Sequence, residues 1–256
     1  MNLPVIFRIL GVLLMLFSFA MLPPLLVSMY YNDGVAYSFL TTFFLTLLSG
    51  FILWAPVMKN RRELKTRDGF LVVTLFWTVL GTFGSFPFIF TSSLQMSVTD
   101  SFFESISGLT TTGATVLSGL DDLPKSILYY RQQLQWLGGM GIIAIAVAIL
   151  PMLGIGGMQL YRAESPGPVK DNKLLPRVTE TAKALLFIYI SLTMLCAIAY
   201  FLAGMPIFDA IGHSFATVAI GGFSTHDASI AYFDSSAIEV IAIIFMLISG
   251  INFALH

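Results

Sequence analysis

The chain has 256 residues, of which 57% are apolar and only 11% charged, with a formal net charge of −1. A soluble domain carries about 25% charged residues, so this composition, with a mean hydropathy of +0.86, excludes an ordinary water-soluble fold and marks an integral membrane protein. The one cysteine, Cys196, excludes a disulfide framework or a thiolate metal site built from this chain and reads as a buried, inert thiol.

Six apolar segments follow one another: 3–29, 35–57, 70–90, 134–160 with its helix starting near Ser126, 184–203 and 237–256. Each approaches or exceeds the roughly 20 residues that cross ~30 Å of hydrocarbon. Arg8 precedes an apolar core, as in a signal peptide, but no small-x-small cleavage site follows and the apolar run continues, so the first segment is a retained helix. Pro23-Pro24 should bend or end that helix, and Pro151 with Gly154, Gly156 and Gly157 should do the same to the fourth. Gly154-Ile155-Gly156 is no dinucleotide fingerprint, because it interrupts a span and follows no strand.

Charge placement gives an orientation. Ten of the thirteen basic residues fall in two connections, Lys59, Arg61, Arg62, Lys65 and Arg67 in one and Arg162, Lys170, Lys173, Arg177 and Lys183 in the other. By the positive-inside rule both connections are cytoplasmic. Two spans lie between them with a semi-apolar stretch in the middle, so that stretch must return to the face it entered and is re-entrant. The opposite face collects Asp33, Asp100, Glu104, Asp121, Asp122, Asp209, Asp227 and Asp234 against Lys125 and Arg131. A negatively lined outer mouth concentrates cations; the plainer alternative is that outer loops merely lack lysine.

The re-entrant stretch occurs twice. Asp100 opens a run ending in Thr110-Thr111-Thr112-Gly113, and Asp209, 109 positions later, opens one ending in Ala219-Ile220-Gly221-Gly222. The two align without gaps, an acid at a helix start, about ten residues of short helix, then an extended stretch with glycine where positive φ or close approach is needed. Ten residues rise ~15 Å, half a bilayer, so each short helix should stop near mid-membrane with its carbonyl end, roughly half a negative charge, toward the path. A cation shedding water needs replacement oxygens, and backbone carbonyls provide them without a fixed charge that would hold it too tightly. Irregular backbone at that depth is tolerated where it lines an enclosed or wet cavity. The paired windows therefore point to cation permeation. A ring of carbonyls in the potassium-channel manner takes four loops, so two windows are half of a ring completed by a second copy or belong to an incomplete polypeptide. The apolar ending 248–256, without a polar tail, favours incompleteness.

The run Arg131-Gln132-Gln133-Leu134-Gln135-Trp136-Leu137-Gly138-Gly139-Met140-Gly141, the segment Gln159-Leu160-Tyr161-Arg162-Ala163-Glu164 and the two windows together resemble the TrkH-type bacterial potassium uptake proteins of the Trk/Ktr/HKT superfamily, over essentially the whole chain. The resemblance implies an all-α integral membrane fold of helix–pore loop–helix repeats, four in the family and two here, behind an N-terminal helix pair. It implies the division 1–57 helix pair, 58–69 basic cytoplasmic loop, 70–161 first repeat, 162–183 basic cytoplasmic loop and 184–256 second repeat, ending short. It implies potassium uptake across the bacterial inner membrane, with K+ on the carbonyls of Thr111, Thr112, Ile220 and Gly221 and with Thr110, Gly113, Ala219 and Gly222 flanking them. In the wider family serine at the first filter glycine goes with relaxed selectivity, and Gly113 and Gly222 are both glycine. A homodimer in membrane lipid and a TrkA-like cytosolic nucleotide-binding regulatory subunit are the implied partners, with no nucleic acid, no organic cofactor and no enzymatic activity.

Other residues admit sharper readings. Glu104 and His213 hold matched places in the two short helices and invite a proton-relay reading beside one of packing and hydrogen bonding to the filter. His226, beside Asp227, reads as a hydrated outer-loop histidine, and Glu239 as an acid within reach of water. The rival classes are an intramembrane enzyme, for which no HExxH pair or Gly-x-Ser-x-Gly elbow is present, and a non-conducting assembly subunit.

Overall fold

The computed structural model describes residues 2–59, 66–141 and 175–251, and all regular structure among them is helical. In chain order the α-helices are α1 (Leu3–Ser18), α2 (Leu22–Tyr31), α3 (Ala36–Trp54), α4 (Thr66–Gly84), α5 (Phe86–Phe90), α6 (Val98–Leu109), α7 (Lys125–Gly139), α8 (Leu175–Leu202), α9 (Ile207–Val218) and α10 (Ser236–Gly250). Four stretches are long and apolar enough to cross a membrane, Leu3–Tyr31, Ala36–Val57, Leu71–Phe90 and Lys183–Leu202, and Ser236–Gly250 is a shorter apolar helix. The expected start of the fourth span near Ser126 matches α7. The rest of that span, with Pro151, Gly154, Gly156 and Gly157, lies outside the described residues, as do 60–65 and 162–174 of the two basic connections.

Pro23 and Pro24 bend the first span without ending it. A proline lacks the N–H that would bond four residues back, so the carbonyls of Phe19 and Ala20 lose their helical donors. The chain answers with a tighter 3-10 turn, Phe19–Met21, between α1 and α2. The Gln133 side-chain amide of α7 donates to the freed Ala20 carbonyl at 2.7 Å, which anchors the window-bearing half of the molecule to the first span at its bend.

Two apolar clusters hold the helices. The first joins α1–α5 to α7 through Ile6, Ile9, Met21, Phe39, Val72, Phe88, Ile127 and Tyr130, and also takes in Leu109 at the end of α6. The second joins α8, α9 and α10 through Tyr189, Cys196, Tyr200, Met205, Val218 and Ile238, with Trp136 of α7 packed against it. Cys196 is buried and free, as expected. Phe44, Leu48, Phe51 and Ile52 on α3, and Phe187, Met194, Leu195 and Leu202 on α8, face outward, as spans that meet hydrocarbon should. The linchpin is α7, which packs against α2, α6 and α9 and thereby sets the short helices relative to one another. Outside the membrane the Asp33 carboxylate fastens the α2–α3 turn to the start of α7, accepting from the Ser28 hydroxyl, the Val35 N–H at 3.2 Å and the Ser126 N–H at 2.8 Å. Burial pushes its pKa up, but these hydrogen bonds outweigh that and hold it below the usual carboxylate range.

Candidate functional site

The short helices α6 and α9 each have 12 residues, about 18 Å, slightly more than the ten expected. Their acids are not N-caps but third-position residues. Ser97 caps α6 by accepting the Asp100 N–H at 3.1 Å and donating its hydroxyl back to that carboxylate at 2.7 Å, whereas Pro206 precedes α9 with no side-chain cap.

The two helices end alike. The N–H groups of Thr110, Thr111 and Thr112 donate to the carbonyls of Ile106, Gly108 and Ser107 at 2.8, 3.0 and 2.9 Å. Those of Ala219, Ile220 and Gly221 donate to Phe215, Thr217 and Ala216 at 3.1, 3.1 and 2.8 Å, the same partners 109 positions on. This pairing around one left-handed residue is the Schellman ending, whose turning residue is ordinarily glycine. Here Thr111 and Ile220 turn, both at φ 53°, a conformation that costs a β-branched side chain on the order of 1–2 kcal/mol. Gly113 at 75° and Gly222 at 83° are again left-handed, and the residues between, Thr112 and Gly221, are not. Alternating handedness rotates successive peptide planes toward one side, where a strand would send them to alternate sides. With the N–H groups of 110–112 and 219–221 committed to the helix ends, no donor among the described residues bonds the carbonyls of 110–113 or 219–222. Oxygens left free at a pair of negative helix ends are what a partly dehydrated cation requires.

The windows touch. A Cβ on Gly113 would lie 1.9 Å from the Gly221 carbonyl oxygen, so the first window has no room for a side chain where it meets the second. Gly221 is constrained from behind as well, since its own Cβ would lie 2.4 Å from the amide carbon of Gln135 on α7. The expected site residues Thr110, Thr111, Thr112, Gly113, Ala219, Ile220, Gly221 and Gly222 thus form two matched segments meeting at one point.

Behind the windows each short helix bonds a hydroxyl eleven residues further along. The Glu104 carboxylate accepts from Thr115 at 2.9 Å, and the His213 Nε2 pairs with the Ser224 hydroxyl at 3.0 Å while Nδ1 meets the Asp209 carbonyl at 2.9 Å. Glu104 also forms an ion pair with Arg131 at 2.7 Å, both fully buried. This corrects the expected outer acidic rim. Glu104 and Arg131 do not line it, because a charge at this depth is stabilised by a partner rather than by water, and Asp209 is buried too, accepting from Thr225 at 2.7 Å.

The segments after the windows are tied across the repeat. Asp227 accepts the N–H groups of Gly119 and Leu120 at 3.1 and 3.0 Å, and Asp121 meets the His226 ring in return. That His226 bond is the main reason the Asp121 carboxyl sits below the usual range; a little desolvation opposes it and the Asp227 N–H adds to it. The expectation of a hydrated His226 is corrected: the ring is 6% exposed, stacked on Tyr232 at 3.5 Å between centroids. Its flat apolar faces favour the tyrosine over water. Glu239 is exposed, as expected.

The family model described as TrkH, cation transport protein, matches residues 36–256. The chain belongs to the TrkH family. It is 64% identical to the Trk system potassium uptake protein TrkH of Vibrio parahaemolyticus over 98% of this chain and 52% of that protein, and 62% identical to the Escherichia coli TrkH over 100% and 53%. The Escherichia coli TrkG is 45% identical over 96% and 50%. The crystal structure of the potassium transporter TrkH from Vibrio parahaemolyticus superposes with a TM-score of 0.86 at 58% identity, covering 100% of this chain and 51% of that one. The chain thus spans about half the length of the curated relatives it matches, and the helix–window–helix architecture expected from its sequence is that of this TrkH structure. The sequence placed Arg131 on the outer face and offered Gln135 only as part of the motif run; a charged residue and three glutamines opening an otherwise apolar span, Arg131, Gln132, Gln133 and Gln135, were the available signal for buried contacts.

Proposed function

We propose that this TrkH-family chain forms half of the potassium path of a Trk-type uptake protein in the bacterial inner membrane. K+ rests on the backbone carbonyls of Thr111, Thr112, Ile220 and Gly221, flanked by Thr110, Gly113, Ala219 and Gly222. The observation that carries the reading is the pair of helix ends with identical hydrogen bonding and alternating φ, meeting where Gly113 abuts the Gly221 carbonyl. Transport of potassium is named for relatives at 62 to 64% identity, which supports the choice of ion. Two windows supply half of a four-loop ring, so conduction requires two more, from the rest of a longer polypeptide or from a second copy of this chain, and a single copy of this chain is a non-conducting half. The division into a helix pair at 1–57, repeats at 70–161 and 184–256 and cytoplasmic loops at 58–69 and 162–183 goes with this reading. So do a homodimer and a TrkA-like cytosolic subunit meeting the basic loops.

The test is rubidium and potassium uptake in a transport-deficient bacterium, combined with cysteine labelling. In a Cys196→Ser background, Thr110→Cys, Thr112→Cys and Ala219→Cys in the full-length polypeptide should react with a water-borne thiol reagent and be protected by potassium but not by sodium. Cysteines that react only with lipid-soluble reagents, or that potassium does not protect, would overturn the filter assignment.

A further inference from the structure

Arg131 and Gln135 lie one helical turn apart on α7, so they share a face, and both are fully buried. That face meets the second window although α7 follows the first. The Gln135 side-chain oxygen Oε1 accepts the Phe223 N–H at 3.0 Å, and the same side-chain amide fills the space behind Gly221 that any side chain would need. The Arg131 guanidinium holds both windows at once. Its Nε bonds Glu104 at 2.7 Å and its Nη2 bonds the Thr115 hydroxyl at 3.0 Å, on the side of the first window. Its Nη1 donates to the Ser224 carbonyl at 3.0 Å, and its central carbon Cζ lies 4.4 Å from the Phe223 ring centre, on the side of the second. A planar fork of five donors suits this spread, and a lysine ammonium does not.

The repeat lacks a second copy of the device. Moving 109 positions on, Glu104 becomes His213 and Thr115 becomes Ser224, and the bond between them is kept. Arg131 becomes Val240 and Gln135 becomes Ile244, both exposed apolar residues of α10 that offer neither donor nor acceptor. The strut therefore joins the first window to the second and is not repeated beyond it. Gln135 against Gly221 and Phe223, and Arg131 against Ser224, bracket the second window from behind.

We propose that Arg131 and Gln135, with Glu104 as counter-charge, are positioning residues that fix the spacing of the two windows and so set the selectivity for potassium over sodium. The proposal rests on the filter reading above. A positioning role differs from a merely stabilising one in what it moves. Loosening the strut lets the carbonyl cage accept a smaller ion, so the ratio of rubidium to sodium transport changes while the amount of folded protein need not.

The experiment uses the full-length polypeptide in a transport-deficient bacterium, with membrane abundance, thermal stability and the rubidium-to-sodium uptake ratio measured for each variant. Gln135→Leu keeps the volume but removes the acceptor, and the double variant Glu104→Met with Arg131→Met replaces the buried pair by apolar residues, a change proteins often tolerate in stability. Both should lower the ratio about tenfold, a free-energy difference near 1.4 kcal/mol. Arg131→Lys, which keeps the charge but not the fork, should lower it less. Gly222→Ala, which meets no neighbour within 4 Å and alters only the left-handed backbone of the window without touching the strut, serves as the control for the filter reading. A wild-type ratio in both strut variants, with Gly222→Ala disturbing the ratio, would overturn the strut and leave the filter standing. A ratio unmoved by Gly222→Ala as well would overturn both.

Discussion

Window one is carried by three threonines and window two by Ala219, Ile220 and Gly221, yet their helix ends match bond for bond and their left-handed residues fall at the same offsets. What surrounds them does not match. The first has a reciprocal Ser97–Asp100 cap at the foot of its helix and a buried ion pair behind it; the second has no side-chain cap, a histidine in place of the glutamate and a wall made by Gln135. Backbone geometry is therefore the common property of the two windows, and each repeat uses different side chains to hold it. On the proposed filter reading a carbonyl site asks nothing of the side chain except that it stay out of the path, so Thr and Ile are equally admissible at the turning position.

Four measurements test how alike the two windows are. The largest effect is expected from glycine. Gly113→Ala puts a methyl 1.9 Å from the backbone oxygen of Gly221, and that oxygen cannot swing aside as a side chain would. Gly222→Ala meets nothing within 4 Å and suffers only its positive φ. Thermal unfolding in detergent should show Gly113→Ala destabilised by about 4 kcal/mol or more, the range in which core collisions stand out, and Gly222→Ala by about 1 kcal/mol. Equal losses would mean the windows are not in contact.

Next are the matched residues behind the windows. Glu104→Gln strands the buried Arg131 charge and should cost about 3–5 kcal/mol, whereas His213→Gln exchanges one neutral hydrogen-bonding group for another and should cost about 1 kcal/mol. The same unfolding measurement tests both, and a smaller loss for Glu104→Gln than for His213→Gln would show that water reaches Arg131.

A gain is expected at the turning residues. Ile220 is 47% exposed, so Ile220→Gly forfeits little burial and relieves a strained φ; stability should rise by up to about 1 kcal/mol. Thr111→Gly should gain less, because Thr111 is half-buried and so gives up packing with its side chain.

The smallest effect concerns acid. The Asp121 carboxyl is held below its ordinary pKa by His226, so it binds its proton less readily folded than unfolded. Its contribution is therefore present above the ordinary carboxylate value of about 3.9 and is lost as pH falls through the lower folded value. Asp33 follows the same sign through Ser28, Ser126 and Val35. A melting-temperature series from pH 6 to pH 3 should fall in wild type and fall less steeply in Asp121→Asn and Asp33→Asn. A slope unchanged in both variants would assign the acid sensitivity to other carboxylates.

The class of fold and the positions of the windows are legible in the amino-acid order. Apolar length and scarcity of charge dictate membrane spans because hydrocarbon offers nothing to an unpaired polar group. The repeat of acid, short helix and glycine at a fixed offset located 110–113 and 219–222 because the turn chemistry is local: each helix end closes on carbonyls within five residues. What stands behind those segments is set by the packing of the helices. That Arg131 faces Glu104 and Ser224, that Gln135 lies under Gly221, that Gln133 completes the Ala20 carbonyl freed by Pro24, and that His226 is buried against Tyr232 all depend on contacts between helices distant along the chain. Periodicity and composition report which residues prefer to leave water. They do not report which partner a buried charge or amide will find, because that is set by how the helices pack.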